Sequence, residues 1–417
     1  MASTLLCRKE LLGGKDVIVT KQFVEPIELA RAIADVKNRE DDDDAFVVVN
    51  LDSLLERFQL WKRELPNVEP FYAVKCNSDA VIVHALAKMG VGFDVASREE
   101  IDIVTQAGVA PERIIYANPC KTRAFISHAE KKGINMMTYD SEEELEKISK
   151  LHKKPELILR IGVSDPTATC PLSVKFGVDP VQRAPELLKC AAERGMSVVG
   201  VSFHVGSGCN DPGAYRVGIQ HARNLFDYGC SLGHQMQIVD IGGGFPGGDH
   251  PKTSFEQIAS LIRSAVEEFF PEPGVRIVAE PGRFFAARPC ALVVNVISHK
   301  AETADKITKN PADADKKGHM YYINDGLFGS FNCILYDHVN PTGKPLFDKE
   351  GKCFPSTIWG PTCDSIDQIE GNKMMRVLDV GEWIIYEEMG AYSTAAGSTF
   401  NGFQRPTPVH VISKRTW

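Results

Sequence analysis

Residues 70–97, PFYAVKCNSDAVIVHALAKMGVGFDVAS, contain one complete copy of the pattern that decides the fold. The aromatic and β-branched run PFYAVKC is followed by polar residues, then by an amphipathic stretch with an apolar spacing of about 3.6 residues, then by a glycine. GFDVAS begins the next unit at residue 92. The segment therefore predicts a strand, a helix and a second strand.

The same unit recurs as far as residue 282. The first five strand segments begin 21 or 22 residues apart, and longer loops separate the later three. In chain order, the eight segments are PFYAVKC (70–76), GFDVAS (92–97), RIIYANP (113–119), NMMTYD (135–140), ELILRIG (156–162), SVVGVSFHVGS (197–207), QIVDIGGG (237–244) and RIVAEPG (276–282). Eight such α/β units predict a closed (β/α)8 barrel of the TIM type, with a doubly wound open sheet as the alternative.

The pattern changes near residue 288. Strand-like segments joined by Gly and Pro turns replace the helices and predict an all-β domain, a β-barrel or sandwich. KDVIVT (15–20) is expected to add a strand to this domain. The predicted parts are therefore an N-terminal segment 1–48 that joins the β domain, a barrel 49–287 and the β domain 288–417. Within the last part, the charged segment 300–318 predicts a flexible surface loop.

Composition narrows the class of protein. The 417 residues are 43% hydrophobic and 24% charged, and the net charge of −8 argues against nucleic acid as a partner. No apolar run reaches the length of a membrane span, so no membrane partner is expected. The 11 cysteines form no CxxC pair and no zinc spacing. We therefore expect no metal site, and reduced thiols in a cytoplasmic protein.

Polar residues at the ends of the predicted strands are the candidate functional residues, because the carboxyl ends of barrel strands face one common site. Each of them alone is more often a solvated or a packing side chain. Their joint placement at one mouth favours an active site. They are Lys75, Asp94, Asn118, Asp140, Arg160, His204, Ser207, Gly242–Gly244, Glu280 and Arg283.

The glycine run GGGFPG (242–247) fits the GxGxxG pattern of dinucleotide-binding proteins. That pattern requires a helix to begin at once, whereas FPGGDHPKT delays the next helix to about Ser254. The run instead predicts a nest of backbone amides for one phosphate, with Arg283 and Ser207 as further donors. The chain contains no GxxxxGK[ST] motif, which argues against nucleotide hydrolysis.

A phosphate nest, a lysine, a carboxylate and an imidazole together indicate pyridoxal 5′-phosphate (PLP). Lys75 would form the Schiff base, Glu280 would keep the pyridine nitrogen protonated, and His204 would stack on the ring. Arg160 is a candidate for the polar edge of the cofactor. Phosphosugar chemistry would also explain a phosphate nest, but it would not explain Glu280 beside Arg283.

Motifs along most of the chain resemble those of the eukaryotic ornithine decarboxylases, members of the alanine-racemase-like, fold type III class of PLP enzymes. The motifs are PFYAVKCN, GFDVAS, RIIYANPCK, LSVKFG, VSFHVGSGC, DIGGGFPG, AEPGRF, GSFNCILYDH, WGPTCDS, MGAY and STFNGFQRP. The resemblance implies a PLP-dependent decarboxylation of L-ornithine to putrescine and carbon dioxide.

The resemblance also implies residue roles. Lys75 and His204 match catalytic residues, and Cys363 matches the acid that returns a proton to the substrate Cα. The implied cofactor-binding residues are Lys75, Asp94, Arg160, His204, Ser207, Gly243, Gly244, Glu280, Arg283 and Tyr392. The implied substrate-binding residues are Tyr336, Asp337, Asp364 and Phe400. Two carboxylates suit a diamino acid, because a second buried ammonium would otherwise remain unpaired.

The family further implies a homodimer in which one subunit supplies Lys75 and the other supplies Cys363 and Asp364. Residues Asn118 to Asp140 match the segment that meets antizyme, and Lys121, Arg123, Lys131 and Lys132 predict a basic surface there. Vertebrate members of the family carry a C-terminal extension that speeds degradation, and this sequence ends at Trp417 soon after FNGFQRP, which argues against tail-driven turnover. The alternatives are a lysine decarboxylase and a non-catalytic antizyme inhibitor, whose cofactor residues would have decayed.

Overall fold

The computed structural model describes residues 6–163, 168–169, 175–248 and 252–417. Residues 172–174 of the motif LSVKFG lie outside the described residues. The chain divides into two compact units, one formed by Met1–Leu55 with Ala286–Trp417 and the other by Glu56–Phe285. Within the described residues, no helix is both long enough and apolar enough to cross a membrane.

The strands within the described residues are numbered in chain order. They are β1 (Leu6–Leu12), β2 (Lys15–Thr20), β3 (Phe46–Asn50), β4 (Val68–Ala73), β5 (Gly92–Val95), β6 (Ile114–Tyr116), β7 (Met136–Tyr139), β8 (Glu156–Arg160), β9 (Val198–Ser202), β10 (Ile238–Asp240), β11 (Arg276–Ala279), β12 (Cys290–Thr303), β13 (Lys317–Ile323), β14 (Lys344–Pro345), β15 (Cys353–Trp359), β16 (Gln368–Arg376), β17 (Trp383–Tyr386) and β18 (Thr407–Ser413).

The α-helices are numbered in the same way. They are α1 (Pro26–Arg39), α2 (Leu51–Glu64), α3 (Ala80–Lys88), α4 (Arg98–Gln106), α5 (Arg123–Lys131), α6 (Glu142–Leu151), α7 (Arg183–Glu193), α8 (Gly213–Ser231), α9 (Phe255–Phe269), α10 (Arg283–Ala286), α11 (Asp305–Thr308) and α12 (Cys333–Tyr336).

Strands β4 to β11 form a closed parallel barrel in which the last strand, β11, pairs with the first, β4. The predicted (β/α)8 barrel is therefore confirmed, and the open-sheet alternative is wrong. One apolar side chain from each barrel strand except β5 enters a shared core cluster. At β5 the residue is Gly92, where a Cβ would stand 2.7 Å from the Phe71 ring. The Phe71 ring thus occupies the space that a β5 side chain would take.

Polar side chains cap the first turns of several helices. Ser141 accepts from the Glu144 amide at the start of α6. Ser254 and Gln257 form a complete capping box at the start of α9. At α3 the cap is Asp79, which accepts from the amides of Val81 and Ile82.

The other unit is mostly sheet and uses both chain ends, as predicted. Its ten-stranded sheet runs in the order β1-β2-β18-β3-β12-β13-β15-β16, with β17 paired to β12 and β14 paired to β17. The last strand, β18, lies between β2 and β3 and is parallel to both. Helix α1, which the sequence analysis did not predict, buries Leu29, Ala30 and Ala34 in a core cluster with this sheet.

The predicted flexible loop at 300–318 is wrong for most of its length. Strand β12 continues to Thr303, helix α11 follows, and β13 begins at Lys317. Ala304 and Ile307 are buried, and Glu302 pairs with Lys300 at 2.6 Å and with Lys306 at 2.5 Å. A few apolar side chains and paired charges thus order a segment whose composition alone resembles a loop.

Candidate active site

Lys75 lies immediately after β4, in the short 3-10 turn Val74–Cys76. Its ammonium donates to Oδ2 of Asp94, the third residue of β5. The Asp94 carboxylate is buried, whereas the Lys75 side chain is 41% exposed. Within the described residues, Asp94 Oδ1 has no hydrogen-bond partner. The pair therefore presents a reachable amine beside a buried carboxylate at the end of two neighbouring strands.

The glycine turn after β10 has three carbonyls held by hydrogen bonds from other parts of the barrel. The carbonyls of Gly242, Gly243 and Gly244 accept from the Glu280 amide at 2.7 Å, the Tyr215 hydroxyl at 2.8 Å and the Cys209 amide at 3.3 Å. In a trans peptide the N–H points opposite to the C=O. Within the described residues, the amides of Gly243, Gly244 and Phe245 donate to no protein acceptor. Three successive amides of this kind form a nest for an anion.

Close packing explains why this turn needs glycine. A Cβ on Gly243 would stand 2.8 Å from His204 Nε2 and 2.9 Å from the Glu280 carbonyl. Gly244 has φ +109°, which side chains rarely adopt, and a Cβ there would stand 2.8 Å from the Tyr215 hydroxyl. Beside the turn, Arg283 Nη2 donates to Ser207 Oγ at 3.1 Å. The turn, Ser207 and Arg283 are thus suited to one phosphate group.

Glu280 is the first residue after β11, and only 3% of its surface is exposed. Burial, with the negative charges of Asp240 and Asp94 as smaller causes, raises the pKa of Glu280 well above its usual range. Within the described residues, its Oε1 has no hydrogen-bond partner. A buried carboxyl with an unused oxygen is suited to a cationic or N–H group of a bound molecule.

Asp240, the last residue of β10, is a buried carboxyl that the sequence analysis missed. Its Oδ1 accepts from the Gly242 amide at 2.9 Å and so holds the start of the glycine turn. Burial raises its pKa to about 6, opposed in part by hydrogen bonds with the Glu280 side chain and the Gly242 amide, and by the charge of Arg160. The only sequence signal was its position at a strand end, directly before Ile241 and the glycines.

His204 follows β9 and is half-buried. Its Nδ1 accepts from the Gly206 amide at 2.9 Å, which leaves the proton of the neutral ring on Nε2. Burial, helped by the positive charges of Arg160 and Lys75, lowers the pKa of His204 well below its usual range. The ring is therefore neutral near pH 7. Arg160, the last residue of β8, is itself buried.

Two other strand-end residues have local structural roles. Asn118 Oδ1 accepts from the Cys120 amide at 3.0 Å, and Asp140 Oδ2 accepts from the Gly177 amide at 3.0 Å. Lys121 is 2% exposed, so it cannot belong to the basic surface predicted for residues 118–140, and that part of the prediction is wrong. Arg123, Lys131 and Lys132 are exposed.

In the sheet unit, Cys363 and Asp364 are exposed and lie on the turn between β15 and β16. Buried Asp367 holds this turn, because its carboxylate accepts from the amides of Leu327 and Thr362 at 2.7 and 3.0 Å. A Cβ on Gly360 would stand 2.3 Å from the same carboxylate. The turn that carries the thiol is therefore closely packed at its base.

The remaining candidates also lie in the sheet unit. Tyr336, at the end of α12, is 72% exposed, and the adjacent Asp337 is 5% exposed. Phe400 is exposed, and its ring centroid lies 4.5 Å from that of Phe328. Tyr392 is half-buried and has φ 52°, an uncommon conformation for a tyrosine.

The barrel residues fit pyridoxal phosphate. The amide nest with Ser207 and Arg283 suits its phosphate, and the reachable amine of Lys75 suits its aldehyde. The unused oxygen of Glu280 suits its ring nitrogen. A dinucleotide does not fit, because the helix after the glycine turn begins only at Phe255.

Comparisons with known proteins agree with this fit. Residues 51–287 match the family model described as the pyridoxal binding domain of pyridoxal-dependent decarboxylases. The chain belongs to the pyridoxal-dependent decarboxylases. Its cofactor is pyridoxal phosphate, and it is an enzyme of fold type III.

This decarboxylase has relatives that match over nearly its whole length. It is 56% identical to ornithine decarboxylase of Caenorhabditis elegans over 99% of this chain and 98% of that protein. It is 45% identical to antizyme inhibitor 2 of Xenopus laevis over 93% of this chain and 85% of that protein. The crystal structure of arginine decarboxylase from Paramecium bursaria Chlorella virus aligns with a TM-score of 0.85 at 33% identity, covering 93% of this chain and 100% of that chain.

Proposed function

We propose that this decarboxylase converts L-ornithine to putrescine and carbon dioxide. The observation that carries the proposal is the 56% identity to an ornithine decarboxylase over 99% of the chain. The barrel mouth agrees with it, because an amine, an anion nest and a buried carboxyl lie at the ends of neighbouring strands.

The barrel residues would hold the cofactor. Lys75 would bind the aldehyde of the cofactor covalently, and Asp94 would orient the Lys75 side-chain nitrogen for this. Gly243, Gly244, Ser207 and Arg283 would bind the phosphate, and the neutral ring of His204 would pack on the cofactor ring. When bound, PLP supplies an electron sink for the bond that breaks at the substrate Cα. The positive charge of Arg160 acts on both His204 and Glu280, and it would favour the neutral imidazole and the ionised carboxylate.

Glu280 would accept the ring nitrogen's hydrogen bond and keep a proton at that atom. Burial, with the negative charges of Asp240 and Asp94, raises the pKa of Glu280. A cationic partner would lower this pKa again. A positively charged ligand would therefore stabilise the ionised form of this buried carboxyl more than that of an exposed one. This supports Glu280, rather than an exposed carboxylate, as the partner of the ring.

The residues of the sheet unit would act on the substrate, by resemblance to the family. Cys363 would return a proton to Cα after carbon dioxide leaves. Asp337 and Asp364 would bind the distal ammonium of the diamino acid, and Tyr336 and Phe400 would line its path. The exposure of Cys363 and Asp364 agrees with a role at a surface that a second subunit covers. Tyr392 remains a predicted ligand of the phosphate.

The assembly, the location and the regulatory partner belong to the same proposal. We expect a homodimer whose two active sites each combine Lys75 of one subunit with Cys363 and Asp364 of the other, and a cytoplasmic location. Antizyme would bind around Asn118 to Asp140 through Arg123, Lys131 and Lys132, without Lys121, which is buried.

Two alternatives follow from the relatives. A lysine decarboxylase would differ by one methylene in its substrate, which such pockets separate only modestly. An antizyme inhibitor would share the fold without the activity. This chain retains Lys75, His204, Glu280, Arg283 and Cys363, which favours the enzyme.

Release of carbon dioxide from ornithine, lysine and arginine by the purified protein separates these functions. The proposal predicts the highest kcat/KM with ornithine. A higher value with lysine or arginine would reassign the substrate. No release from any of the three, with PLP present, would favour the antizyme inhibitor.

A further inference from the structure

The anion nest at the glycine turn depends on how one Gly–Gly peptide is oriented. The Gly243–Gly244 peptide offers the Gly244 N–H to the nest only while the Gly243 carbonyl points away from it. Glycine adopts positive and negative φ with similar ease, so a peptide between two glycines can rotate at little cost. The nest therefore needs a contact that prevents this rotation.

Tyr215 supplies that contact. It is a fully buried residue of α8, and its hydroxyl donates to the Gly243 carbonyl at 2.8 Å. Its ring stacks on that of Phe245, two residues after Gly243 in the turn, with the ring centroids 5.5 Å apart. No other side chain among the described residues donates to the Gly243 carbonyl.

Arg57 connects the glycine turn to the segment that carries Arg283. It is a buried residue of α2, and its Nη2 donates to the Pro246 carbonyl at 3.2 Å. Its Nε donates to the Phe284 carbonyl at 3.0 Å, one residue beyond Arg283. The guanidinium also lies 3.9 Å from the centroid of the Phe284 ring. One fork thus fixes the spacing between the amides of the turn and the Arg283 backbone.

We propose that Tyr215 and Arg57 are positioning residues for the phosphate of the cofactor. Tyr215 fixes the direction of the Gly244 N–H, and Arg57 fixes the distance between the turn and Arg283. The inference rests on the proposed placement of the phosphate at this turn. Neither residue touches the reacting atoms.

The test compares PLP with pyridoxal, which lacks the phosphate, on the full chain after removal of the cofactor. Tyr215→Phe removes the hydroxyl that holds the Gly243 carbonyl. We expect it to weaken PLP binding about tenfold, the effect of losing the hydrogen bond from the Gly244 N–H to the charged phosphate. Arg57→Lys keeps the charge but loses the rigid fork of the guanidinium, so we expect it to weaken PLP binding as well. Both variants should bind pyridoxal as the wild type does.

Inorganic phosphate provides a second readout that does not involve the activity. Phosphate should raise the melting temperature of the cofactor-free wild type more than that of either variant. Arg263→Lys is the matched control, because Arg263 also donates to a carbonyl of α2, that of Glu64, and makes no contact with the turn. We expect it to leave the ratio of the PLP and pyridoxal affinities unchanged.

Three results would overturn the inference. Equal weakening of PLP and pyridoxal would show general damage to the barrel. If both variants keep the wild-type ratio of PLP affinity to pyridoxal affinity, the turn does not need contacts from Tyr215 and Arg57. If the wild type binds pyridoxal as tightly as PLP, the phosphate contributes nothing to binding at this turn. That result would refute both the placement of the phosphate and the inference.

Discussion

At the scale of single residues, the charge state of Glu280 is the feature on which the proposed chemistry depends most. Its carboxyl shares the barrel mouth with Asp94 and Asp240, and all three are buried. Burial raises the pKa of Glu280, and the negative charges of Asp240 and Asp94 raise it further. The positive charges of Lys75 and Arg160 oppose this effect. A cationic ring nitrogen would complete the balance of charge at the mouth.

Glu280→Gln tests this account. Glutamine fills the same space but cannot stabilise a proton on the ring nitrogen. We expect kcat to fall about 100-fold, the size of effect that follows loss of one electrostatic contact to the reacting system. PLP should still bind, because its phosphate contacts remain. Steady-state carbon dioxide release measures the effect, with Glu256→Gln, an exposed carboxylate of α9, as the control. An unchanged kcat in Glu280→Gln would contradict the role.

The sequence alone could predict residues such as Lys75 and Glu280 as candidates, because the carboxyl ends of barrel strands converge. It could not predict Tyr215 or Arg57. Their roles depend on contacts between residues far apart in the chain, such as Tyr215 with Gly243 and Arg57 with Phe284. No local pattern reports which face of a helix meets a particular carbonyl.

At the scale of elements, a buried ion pair joins the loop that follows β6 to helix α6, which follows β7. Lys121 donates to the Thr138 carbonyl at 2.6 Å and lies 3.0 Å from Glu144 Oε1 on α6. Its side chain is fully buried. Burial lowers the pKa of Lys121 to about 8, although the charge of Glu144 acts in the opposite direction. The pair connects the loop after β6 with the first turn of α6.

The lowered pKa of Lys121 predicts how the free energy of unfolding changes with pH. The folded pKa of about 8 is below the ordinary value of 10.5, so the unfolded chain binds the proton more tightly. The contribution of Lys121 to the free energy of unfolding should therefore rise as the pH increases from about 8 to 10.5. The full rise is on the order of 3 kcal/mol.

Urea unfolding of the wild type and Lys121→Met at about pH 7.5 and about pH 10 measures this contribution. We expect the advantage of the wild type over the variant to be larger at the higher pH. Lys131→Met, which removes an exposed lysine of α5, is the control. The same pH dependence in the wild type and in Lys121→Met would contradict the lowered pKa.

Strands and helices with a regular spacing of apolar residues could be predicted from the sequence. Elements that depend on a few specific contacts could not. The barrel strands and the capped helices α6 and α9 follow directly from apolar spacing and from serine caps. The segment 300–318 reads as a loop by composition, but buried Ala304 and Ile307 order part of it. Likewise, the basic residue Lys121 reads as a surface charge, and only the fold reveals its acceptors.

At the scale of the whole molecule, the proposed sharing of active sites predicts complementation. Lys75→Ala and Cys363→Ala should each abolish most of the activity. In a mixed dimer, one site would contain both altered residues and the other would contain neither. Random pairing of equal amounts should therefore restore about a quarter of the wild-type activity, because half of the dimers are mixed and each has one intact site.

The control for complementation pairs two residues of the barrel. Lys75→Ala mixed with Glu280→Gln should recover no activity above that of the single variants, because both residues would serve the same subunit's site. Recovery in this control, or none with Cys363→Ala, would show that the sites are not divided between subunits as proposed.

The most direct test of the central claim is to locate the lysine that holds the cofactor. Borohydride reduction of the PLP-loaded protein, followed by peptide mass spectrometry, identifies the modified residue. The account predicts reduced cofactor on Lys75 and none in Lys75→Arg. Modification of another lysine, such as Lys121, with Lys75 unmodified, would contradict it.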